Sequence, residues 1–403
     1  MYRGHTTAVV VPAYNEEPFV ADTVASVPEF VDRVYVVEDG STDDTWAEIV
    51  SAAAAENARH DGDRFEQRVV PIQHERNRGV GGAIKTGYLR ARDDRIDLTA
   101  VMGGDGQMEP EMLGELFDPI VDGDADYTKG NRFLGRTGRG DMPAFRFVGN
   151  ATLAALTKVA SGYWESGDPQ SGYTAISLRA LETADVESMY EFYGYCNDIL
   201  VKLNVAGMRV VDVPRPITYG DEESHIKYRT YVPRVSAMLA RNFVWRLKTN
   251  YLAFDFHPLV AAYAAGGAAS LTAVLAAVWA LPGVGSFGTP LARGAVAAAF
   301  ALLGVLALVF AMVLDRADNA HLNDTVHPAG DPTGGGPERG ERELAALTDG
   351  RGHAGGDRTV AVELDPQEWA YVLDGGGGDP PSPVAERVRE RVRQARRSDA
   401  AAD

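Results

Sequence analysis

Short apolar runs alternate with helix-like segments over roughly the first third of the chain. The runs are rich in valine, isoleucine or leucine, as expected for buried strands, and the segments between them repeat apolar positions at helical spacing. The four strand-like runs, each given with the residues of the turn that ends it, are TAVVVPAYNE at 7–16, RVYVVEDGSTDDT at 33–45, RVVPIQHE at 68–75 and LTAVMGGDGQ at 98–107. This alternation predicts an α/β fold with a mostly parallel sheet covered by helices on both faces.

Acidic turns follow the first, second and fourth of these runs, at Glu16, Asp39 and Asp105. Ligands of open α/β sheets bind at the carboxyl ends of the strands, so we expect the three carboxylates to share one edge. Asp39 could accept hydrogen bonds from a nucleobase, and Glu16 from ribose hydroxyls. Asp105, in the glycine turn of VMGGDGQMEP, suits a divalent cation that bridges two phosphates. Each acid alone could belong to an ordinary turn or a helix start, but their joint placement favours a binding site.

A different pattern begins near residue 256. Residues 256–292 and 294–314 carry no charged side chain, and prolines and glycines interrupt the first run between 282 and 290. We predict two transmembrane helices, at about 258–281 and 292–314, each long enough to cross a hydrocarbon core of roughly 30 Å. The alternative is an alanine-rich helical hairpin buried in a soluble core, which the length and uniform apolarity disfavour.

The segment before this hairpin is basic, although the chain as a whole is acidic. Residues 224–254 contain no Asp or Glu, and aromatic residues lie between the cations. This composition is typical of a cytoplasmic juxtamembrane segment and predicts amphipathic helices that lie in the interface against anionic headgroups. A solvated basic helix is the alternative. The six cations are Lys227, Arg229, Arg234, Arg241, Arg246 and Lys248.

These patterns divide the chain into four parts. We predict an α/β domain at 1–223, the basic amphipathic segment at 224–255, the two-helix hairpin at 256–314 and a tail at 315–403. The tail is acidic and rich in Gly and Pro, which predicts a largely disordered segment. The N-terminus lacks the order of a secretory signal peptide. We therefore expect a two-span protein of the cell membrane whose α/β domain and tail face the cytoplasm.

The net charge and the cysteine content limit the kinds of partner and site that the protein can have. The 403 residues carry a formal net charge of −18, which argues against a nucleic-acid partner because phosphate neutralisation supplies much of that affinity. The same charge favours a protein of a high-salt cytoplasm. The single cysteine, Cys196, excludes an intrachain disulfide and a cysteine-rich zinc site, and we expect it to be a core side chain.

The glycines Gly79, Gly81 and Gly82 raise the alternative of a dinucleotide-binding fold. A dinucleotide glycine turn follows the first strand and precedes an acid about 20 residues further on. Here the glycines come after the third strand-like run and directly follow Asn77 and Arg78. The context therefore disfavours that fold.

Six motifs along the chain together closely resemble family 2 glycosyltransferases with the GT-A fold. They are PAYNE at 12–16, VEDGSTDDT at 37–45, NRGVGGAIKTGY at 77–88, GDGQMEP at 104–110, KGNRF at 129–133 and DPQSGYTAI at 168–176. Within the family they resemble the branch that glycosylates polyprenyl (dolichyl) phosphate, and the likeness covers roughly residues 7–254. The family's metal motif usually carries two acids. Here Gly103 stands in the first position, which leaves Asp105 as the one acidic ligand.

The resemblance implies a role for each group of site residues. Those expected at the nucleotide-sugar are Pro12, Ala13, Tyr14, Glu16, Asp39, Gly40, Lys85 and Gly104. Asp105 and Gln107 are expected to hold Mg²⁺ or Mn²⁺ on the diphosphate. Those expected at the acceptor phosphate are Lys129, Arg132, Arg146, Gln170, Ser171, His225 and Lys227. The candidate catalytic residues are Asp168, Asp105 and Arg132, and Asp168 is expected to orient groups more than to remove a proton.

Taken together, the resemblance implies an inverting transferase at the cytoplasmic membrane face. It would move a hexose or N-acetylhexosamine from an NDP-sugar, such as GDP-mannose or UDP-glucose, to a polyprenyl phosphate for glycan assembly such as protein glycosylation. The sequence also allows a homo-oligomer that assembles through the transmembrane region. One rival is a processive polysaccharide synthase, which would be expected to carry a Q-x-x-R-W motif and more spans. The other is a catalytically silent membrane scaffold, for which the missing acid at Gly103 is the one argument.

Overall fold

A mixed sheet organises the part of the chain that this computed structural model describes, namely residues 1–60, 64–134, 144–215, 228–253, 256–281, 284 and 287–326. The eight strands within this part are β1 (Thr7–Ala13), β2 (Arg33–Glu38), β3 (Val69–Gln73), β4 (Leu98–Val101), β5 (Tyr127–Asn131), β6 (Thr174–Ser177), β7 (Val210–Pro214) and β8 (Asn323–Thr325). Their order is β3-β2-β1-β4-β6-β5-β7-β8. Every pairing is parallel except the two made by β6. The predicted α/β class with a mostly parallel sheet is therefore confirmed, and β6 is the one reversed strand among the described residues.

Helices cover both faces of the sheet. Those in the described ranges are α1 (Val20–Ser26), α2 (Thr45–Arg59), α3 (Val80–Asp93), α4 (Leu113–Val121), α5 (Ala144–Ser161), α6 (Leu178–Thr183), α7 (Tyr195–Val205), α8 (Tyr228–Tyr251), α9 (Pro258–Ala280) and α10 (Pro290–Asn319). Side chains of β1 alternate between two cores, as a strand's period of two requires. Val10 joins the core beneath α3 and α7. Val9 and Val11 join the core beneath α1, α2 and α4.

Helix α3 lies close to its neighbours because glycines face them. A Cβ added at Gly87 would lie 2.3 Å from Val10 Cγ1 of β1, well inside the normal carbon–carbon contact distance of about 3.5–4 Å. A Cβ added at Gly81 would lie 2.4 Å from the carbonyl oxygen of Tyr190. These glycines serve packing, which agrees with the rejection of a dinucleotide-binding loop.

Cys196 lies buried in α7, as predicted. Burial raises the pKa of its thiol to about 12, so the reactive thiolate is scarce even at mildly alkaline pH. We expect the folded protein to resist Ellman's reagent at such a pH, whereas the guanidinium-unfolded chain reacts with one equivalent. Stoichiometric labelling of the folded protein at the rate of the unfolded chain would contradict this environment.

Helix α8 packs one face on the α/β domain and exposes the other. Its residues buried against α5 and α7 are Val235, Met238 and Leu239. Arg234, Arg241 and Lys248 are exposed and recur every seven residues, so they form one stripe along the helix. The basic amphipathic segment is thus largely one helix packed on the domain. Contact between this basic stripe and lipid headgroups stays a prediction.

Helices α9 and α10 are each long and apolar enough to cross a membrane, by length and composition. They pack through small residues, as membrane helices do. A Cβ added at Gly266 would lie 2.8 Å from Leu308 Cγ, and one at Gly304 would lie 2.6 Å from Ser270 Oγ. Exposed large apolar side chains along both helices include Leu271, Leu275, Leu302, Leu306 and Phe310. Apolar exposure on this scale is typical of an interaction with membrane or protein rather than water.

A buried ion pair joins α8 to α10. Arg246 and Asp315 are both 0% exposed, and the guanidinium donates hydrogen bonds of 2.9 and 2.8 Å to the two carboxylate oxygens. Tyr263 of α9 and Asn319 of α10 also donate to this carboxylate, at 3.1 and 2.9 Å. Arg246 donates further to the carbonyl of Val159 in α5, at 3.1 Å. Arg246 was expected to contact lipid headgroups with the other cations of its segment. That expectation is wrong, because its side chain instead ties both apolar helices to the α/β domain.

The chain returns to the β-sheet after α10. Residues 315–326 were predicted to begin the tail, but they complete α10, form a short 3₁₀ turn and supply β8. β8 pairs in parallel with β7. The charge of Asp315 ends the apolar pattern in the sequence, but a charge does not end a helix, and α10 continues to Asn319 with Asp315 paired to Arg246. The rest of the predicted tail, 327–403, lies outside the described residues.

Candidate active site

The carboxyl ends of β1, β2, β4, β5 and β7 meet at one edge of the sheet, because these strands run in the same direction. β6 runs the other way, so the segment 168–173 that leads into it reaches the same edge. The expectation that the acidic turns after β1, β2 and β4 share one edge is confirmed. The reversed strand adds the segment that carries Asp168.

Side chains tie the turn after β1 to the turn after β2. Asn15 adopts a left-handed backbone with φ of 56°, and its Oδ1 accepts from Thr42 N at 2.8 Å. Its own N–H donates to Ser41 Oγ at 3.0 Å, and Glu16 N donates to Thr45 Oγ1 at 2.9 Å. These bonds hold the PAYNE segment in place, with its Glu16 half-buried at the edge.

The turn after β4 packs directly against the end of β1. Gly104 N donates to the carbonyl of Pro12 at 3.2 Å, and a Cβ added at Gly104 would lie 3.4 Å from Ala13 Cβ. Asp105 and Gln107 are half-buried, and Gln107 N donates to Asp105 Oδ1 at 3.1 Å. The structure therefore brings the residues expected at the nucleotide next to those expected at the metal.

Asp105 is the one acid of this turn, because Gly103 occupies the neighbouring motif position. A Cβ added at Gly103 would lie 2.9 Å from Asp105 Oδ1, so an acid there would displace the carboxylate as it now lies. Among the described residues, no cluster of three or more His, Cys, Asp or Glu could hold a metal by itself. One carboxylate is nevertheless typical of Mg²⁺ that is also bound by substrate phosphates. A divalent ion therefore fits Asp105 and Gln107 together with a diphosphate.

Arg132 and Asp168 form a bidentate ion pair at the ends of β5 and the 168–173 segment. Arg132 Nε donates to Asp168 Oδ2 at 2.6 Å, and Nη2 donates to Oδ1 at 3.0 Å. Asp168 is 2% exposed, whereas the Arg132 side chain is 41% exposed. The carboxylate thus fixes a guanidinium that remains partly exposed, and the orienting role expected for Asp168 in the reaction stays a prediction.

Ser171 and Gln170 follow Asp168 in the same turn. Ser171 N donates to the carbonyl of Asp168 at 3.2 Å. Ser171 Oγ is buried with no hydrogen-bond partner in the described part of the chain, which is unusual for a hydroxyl. Gln170 is half-buried. The turn therefore keeps both polar side chains beside the Arg132–Asp168 pair, where an acceptor phosphate was expected.

Lys129 does not reach this surface, contrary to the phosphate contact expected of it. The side chain is 2% exposed, and Nζ lies 2.9 Å from Asp212 Oδ1 and donates to the carbonyl of Asp168 at 3.0 Å. Asp212, at 0% exposed, also accepts from Asn131 Nδ2 at 2.7 Å and from Gly167 N at 2.6 Å. No motif singled out Asp212, the centre of this network, because it stands in the short apolar strand VVDVP.

Asp39 is likewise structural, contrary to the direct base contact expected of it. It is 2% exposed. Its Oδ1 lies 2.7 Å from His74 Nδ1 and accepts from Arg78 N at 2.9 Å, while Oδ2 accepts from Gly79 N at 2.7 Å. Gly40, which follows it, adopts a φ of +73° where a Cβ would lie 2.6 Å from Asn77 N. Both residues therefore fix the loop that begins α3.

Lys85 pairs with a protein carboxylate rather than facing the nucleotide. Its Nζ forms an ion pair with Glu191 Oε1, and Arg78 Nη2 reaches the same oxygen at 2.6 Å. The Lys85 side chain is largely buried by this contact. The pair holds α3 against the segment before α7, which corrects the expected nucleotide contact.

Arg215 is the cation that the sequence analysis missed. It directly follows β7 and donates from Nη2 to the carbonyl of Gln107 at 3.1 Å, while its guanidinium lies 5.3 Å from the Tyr173 ring centre. Its Nε is buried with no hydrogen-bond partner among the described residues. Burial and the nearby Arg132 charge lower its pKa, although an arginine stays charged. Two neighbouring guanidiniums are well suited to bind phosphate, through charge and paired hydrogen bonds.

The remaining predicted phosphate ligands cannot be placed. Arg146 belongs to α5, but its side chain lies outside the described residues, and so do His225 and Lys227.

Residues 8–183 match the family model for Glycosyl transferase family 2. The UDP-N-acetylglucosamine–dolichyl-phosphate N-acetylglucosaminyltransferase of Methanococcus voltae is 28% identical over 214 residues, which are 52% of this chain and 85% of that protein. Glycosyltransferase AglD of Haloferax volcanii is 29% identical over 225 residues, 52% of this chain and 33% of that protein. Glucosyl-3-phosphoglycerate synthase from Mycobacterium tuberculosis, solved with uridine-diphosphate, aligns over 60% of this chain and 80% of its own at 20% identity and a TM-score of 0.42.

The matched region runs from β1 through α6, and it contains the turn that carries Asp105 as well as the Arg132–Asp168 pair. The Haloferax relative agrees with the high-salt origin predicted from the acidic composition. Over residues 8–183 the chain therefore matches the family 2 glycosyltransferases that its motifs predicted.

Proposed function

We propose that this glycosyltransferase moves a sugar from an NDP-sugar to a polyprenyl phosphate at the membrane surface. The observation that carries the proposal is the hydrogen bond between Arg215 and Gln107. This bond joins the turn that carries Asp105 to a guanidinium that lies near Arg132. The same chain also carries the apolar helices α9 and α10. The name of the Methanococcus relative, which specifies dolichyl phosphate, supports this class of acceptor.

The donor would lie along the ends of β1 and β4. Pro12, Ala13, Tyr14 and Glu16 would frame the base and ribose, and Tyr14 is exposed enough, at 44%, to pack against a ring. A Mg²⁺ or Mn²⁺ ion held by Asp105 and Gln107 would neutralise the departing diphosphate as a Lewis acid. Arg215 would bind the diphosphate from the other side through its charge and its fork of N–H groups.

The transfer itself forms one bond and breaks one. A phosphate oxygen of the acceptor attacks the anomeric carbon, and the bond from that carbon to the diphosphate oxygen breaks, releasing the NDP. The second pKa of a phosphate monoester is about 6, so the attacking oxygen is already anionic at neutral pH and requires no general base. Asp168 orients Arg132 toward the acceptor phosphate. In-line attack inverts the anomeric centre, so an α-linked donor yields a β-linked lipid product.

The membrane attachment would keep the acceptor phosphate within reach. The chain enters the hairpin from α8 and returns to the sheet as β8, so both hairpin ends lie on the side of the catalytic domain and the number of crossings is even. The basic stripe of Arg234, Arg241 and Lys248 would contact anionic headgroups on that side. A basic segment beside a span favours the cytoplasmic face.

The proposal is tested with the full-length protein in membranes, labelled NDP-sugars, polyprenyl phosphate and Mn²⁺ at high salt. We expect a lipid product carrying a single sugar in β linkage from one donor. Polyprenyl alcohol is the matched control, since it lacks the attacking phosphate and should give no product. Long polymer would instead favour the processive synthase, and no product with any donor would favour the silent scaffold.

Replacing Arg215 should weaken the donor site. We expect Arg215→Met to lower kcat/KM for the NDP-sugar by roughly 10- to 100-fold, because hydrogen bonds to charged groups are worth about 1.5–3 kcal/mol. Inhibition by free NDP should weaken in parallel, whereas Arg215→Lys keeps the charge and should lose less. Arg209→Met is the control, since Arg209 precedes the opposite end of β7. Unchanged NDP inhibition in Arg215→Met would contradict the assignment.

A further inference from the structure

The backbone that leads into Asp168 is held by side chains from two other strands. Glu165 N and Ser166 N both donate to Asn323 Oδ1, at 2.7 and 2.8 Å. Gly167 N, the next amide, donates to Asp212 Oδ2 at 2.6 Å. Three consecutive amides before Asp168 are therefore fixed by side-chain acceptors.

Asn323 lies in the strand that follows the second apolar helix, and it is itself well anchored. It pairs with Val210 in the ladder between β7 and β8, and its Nδ2 donates to the Val210 carbonyl at 3.2 Å. Thr325, two residues on, pairs with Asp212. The two acceptors of the 165–167 amides are thus held by one pair of adjacent strands.

We propose that Asn323 is a positioning residue for sugar transfer, acting through the amides of 165 and 166 on Asp168. The inference rests on the proposed function, in which Asp168 orients Arg132 toward the acceptor phosphate. Asn323 follows both apolar helices in the sequence. It supplies a hydrogen-bond acceptor that the motif containing Asp168 does not itself provide. The chain segment after the hairpin is therefore part of the transfer site.

The chemistry at this position calls for an amide. One side-chain oxygen accepts from two N–H groups while the nitrogen donates to a carbonyl, which the asparagine amide can do. Ser166 is 2% exposed, so its N–H would lose its partner without gaining water, which is costly. Loss of the acceptor should therefore let the 165–167 backbone move and carry Asp168 with it.

Three variants at and beside this position separate positioning from general stability. Asn323→Leu removes the acceptor, and we expect kcat to fall by roughly tenfold or more, since small displacements of reacting groups are costly. KM for the NDP-sugar should stay within about twofold, because the donor end of the edge is untouched. Asn323→Asp keeps an acceptor oxygen and should retain more of kcat. Asp324→Asn, on the exposed next residue of the strand, should match the wild type.

Hydrogen exchange supplies a readout that does not depend on turnover. In a peptide covering 164–168, exchange should accelerate in Asn323→Leu and stay at the wild-type rate in Asp324→Asn. Asn323→Ala serves as a second acceptor-free variant if the leucine does not fit. Unchanged kcat and unchanged exchange in the acceptor-free variants of an active enzyme would overturn the inference. An inactive wild type with normal exchange protection would instead defeat the proposed function and leave the backbone contact standing.

Discussion

Asp105→Asn is expected to slow sugar transfer by roughly 100- to 1,000-fold, the usual cost of removing one group that stabilises developing charge. Asp105 is the single acid of the turn after β4, because Gly103 stands at the neighbouring motif position. A neutral amide of the same shape keeps the turn but holds a divalent ion against the diphosphate more weakly than a carboxylate does. Initial rates across a Mn²⁺ titration, with donor and polyprenyl phosphate saturating, measure the effect.

The titration also tests whether the loss concerns the metal. Asp105→Asn should require more Mn²⁺ for half-maximal rate and should regain part of its activity at high Mn²⁺. Asp124→Asn is the matched control, since Asp124 is exposed and precedes the opposite end of β5. A wild-type rate in Asp105→Asn, or equal losses in the two variants, would remove Asp105 from the site.

Arg246→Leu is expected to lower the free energy of unfolding by about 3–5 kcal/mol, the cost of leaving one charge of a buried pair uncompensated. The carboxylate of Asp315 is fully buried, and the bonds from Tyr263 and Asn319 would remain its main partners. Denaturant unfolding of the detergent-solubilised protein, followed by tryptophan fluorescence, measures the change. Because the pair ties α8 to α10, the destabilisation should reach both the hairpin and the catalytic domain.

Two further variants show whether the buried charge is the cause. Arg241→Leu removes an exposed cation of the same helix and should change stability by no more than about 0.5 kcal/mol. Arg246→Leu combined with Asp315→Leu removes both charges and should recover much of the loss, since apolar replacements of buried pairs are often neutral. If the double variant is less stable than Arg246→Leu alone, the ion pair is not the source of the effect.

The first four strands and the acidic turns after three of them could be predicted because their signals are local. The valine-rich run before Asp39 and the run before Gly103 each span a whole strand. Because these strands run parallel, the turns that follow them lie at one edge of the sheet, whatever the detailed packing of the helices. The apolar helices α9 and α10 were predictable for the same reason, since length and lack of charge are properties of the segment alone.

The errors at the site concern residues whose partners lie far away in the sequence. Lys129 looked like a phosphate ligand, but its carboxylate partner Asp212 comes from β7, on the other side of several elements. Asp39 looked like a base ligand, but the loop it holds follows the next strand. A charged residue next to a motif has the same local appearance whether it faces substrate or a buried counterion. The distinction depends on tertiary contacts.

Arg215 and Asn323 were missed for the complementary reason. Neither belongs to one of the recognised motifs, and each acts by reaching a backbone group of another segment. Arg215 reaches the Gln107 carbonyl, and Asn323 reaches the amides before Asp168. Backbone partners leave no trace in side-chain patterns, so these contacts emerge from the fold.

The place of β8 in the sheet sets the order in which the enzyme can be completed during its synthesis. The ribosome makes β1 to β7 first, then α8 and the two apolar helices, and afterwards the strand that covers β7. Until that strand arrives, β7 presents an unpaired strand edge and the loop before Asp168 lacks its asparagine. Completion of the sheet therefore waits for the synthesis of both apolar helices, and under the proposed function this couples maturation of the transfer site to insertion of those helices.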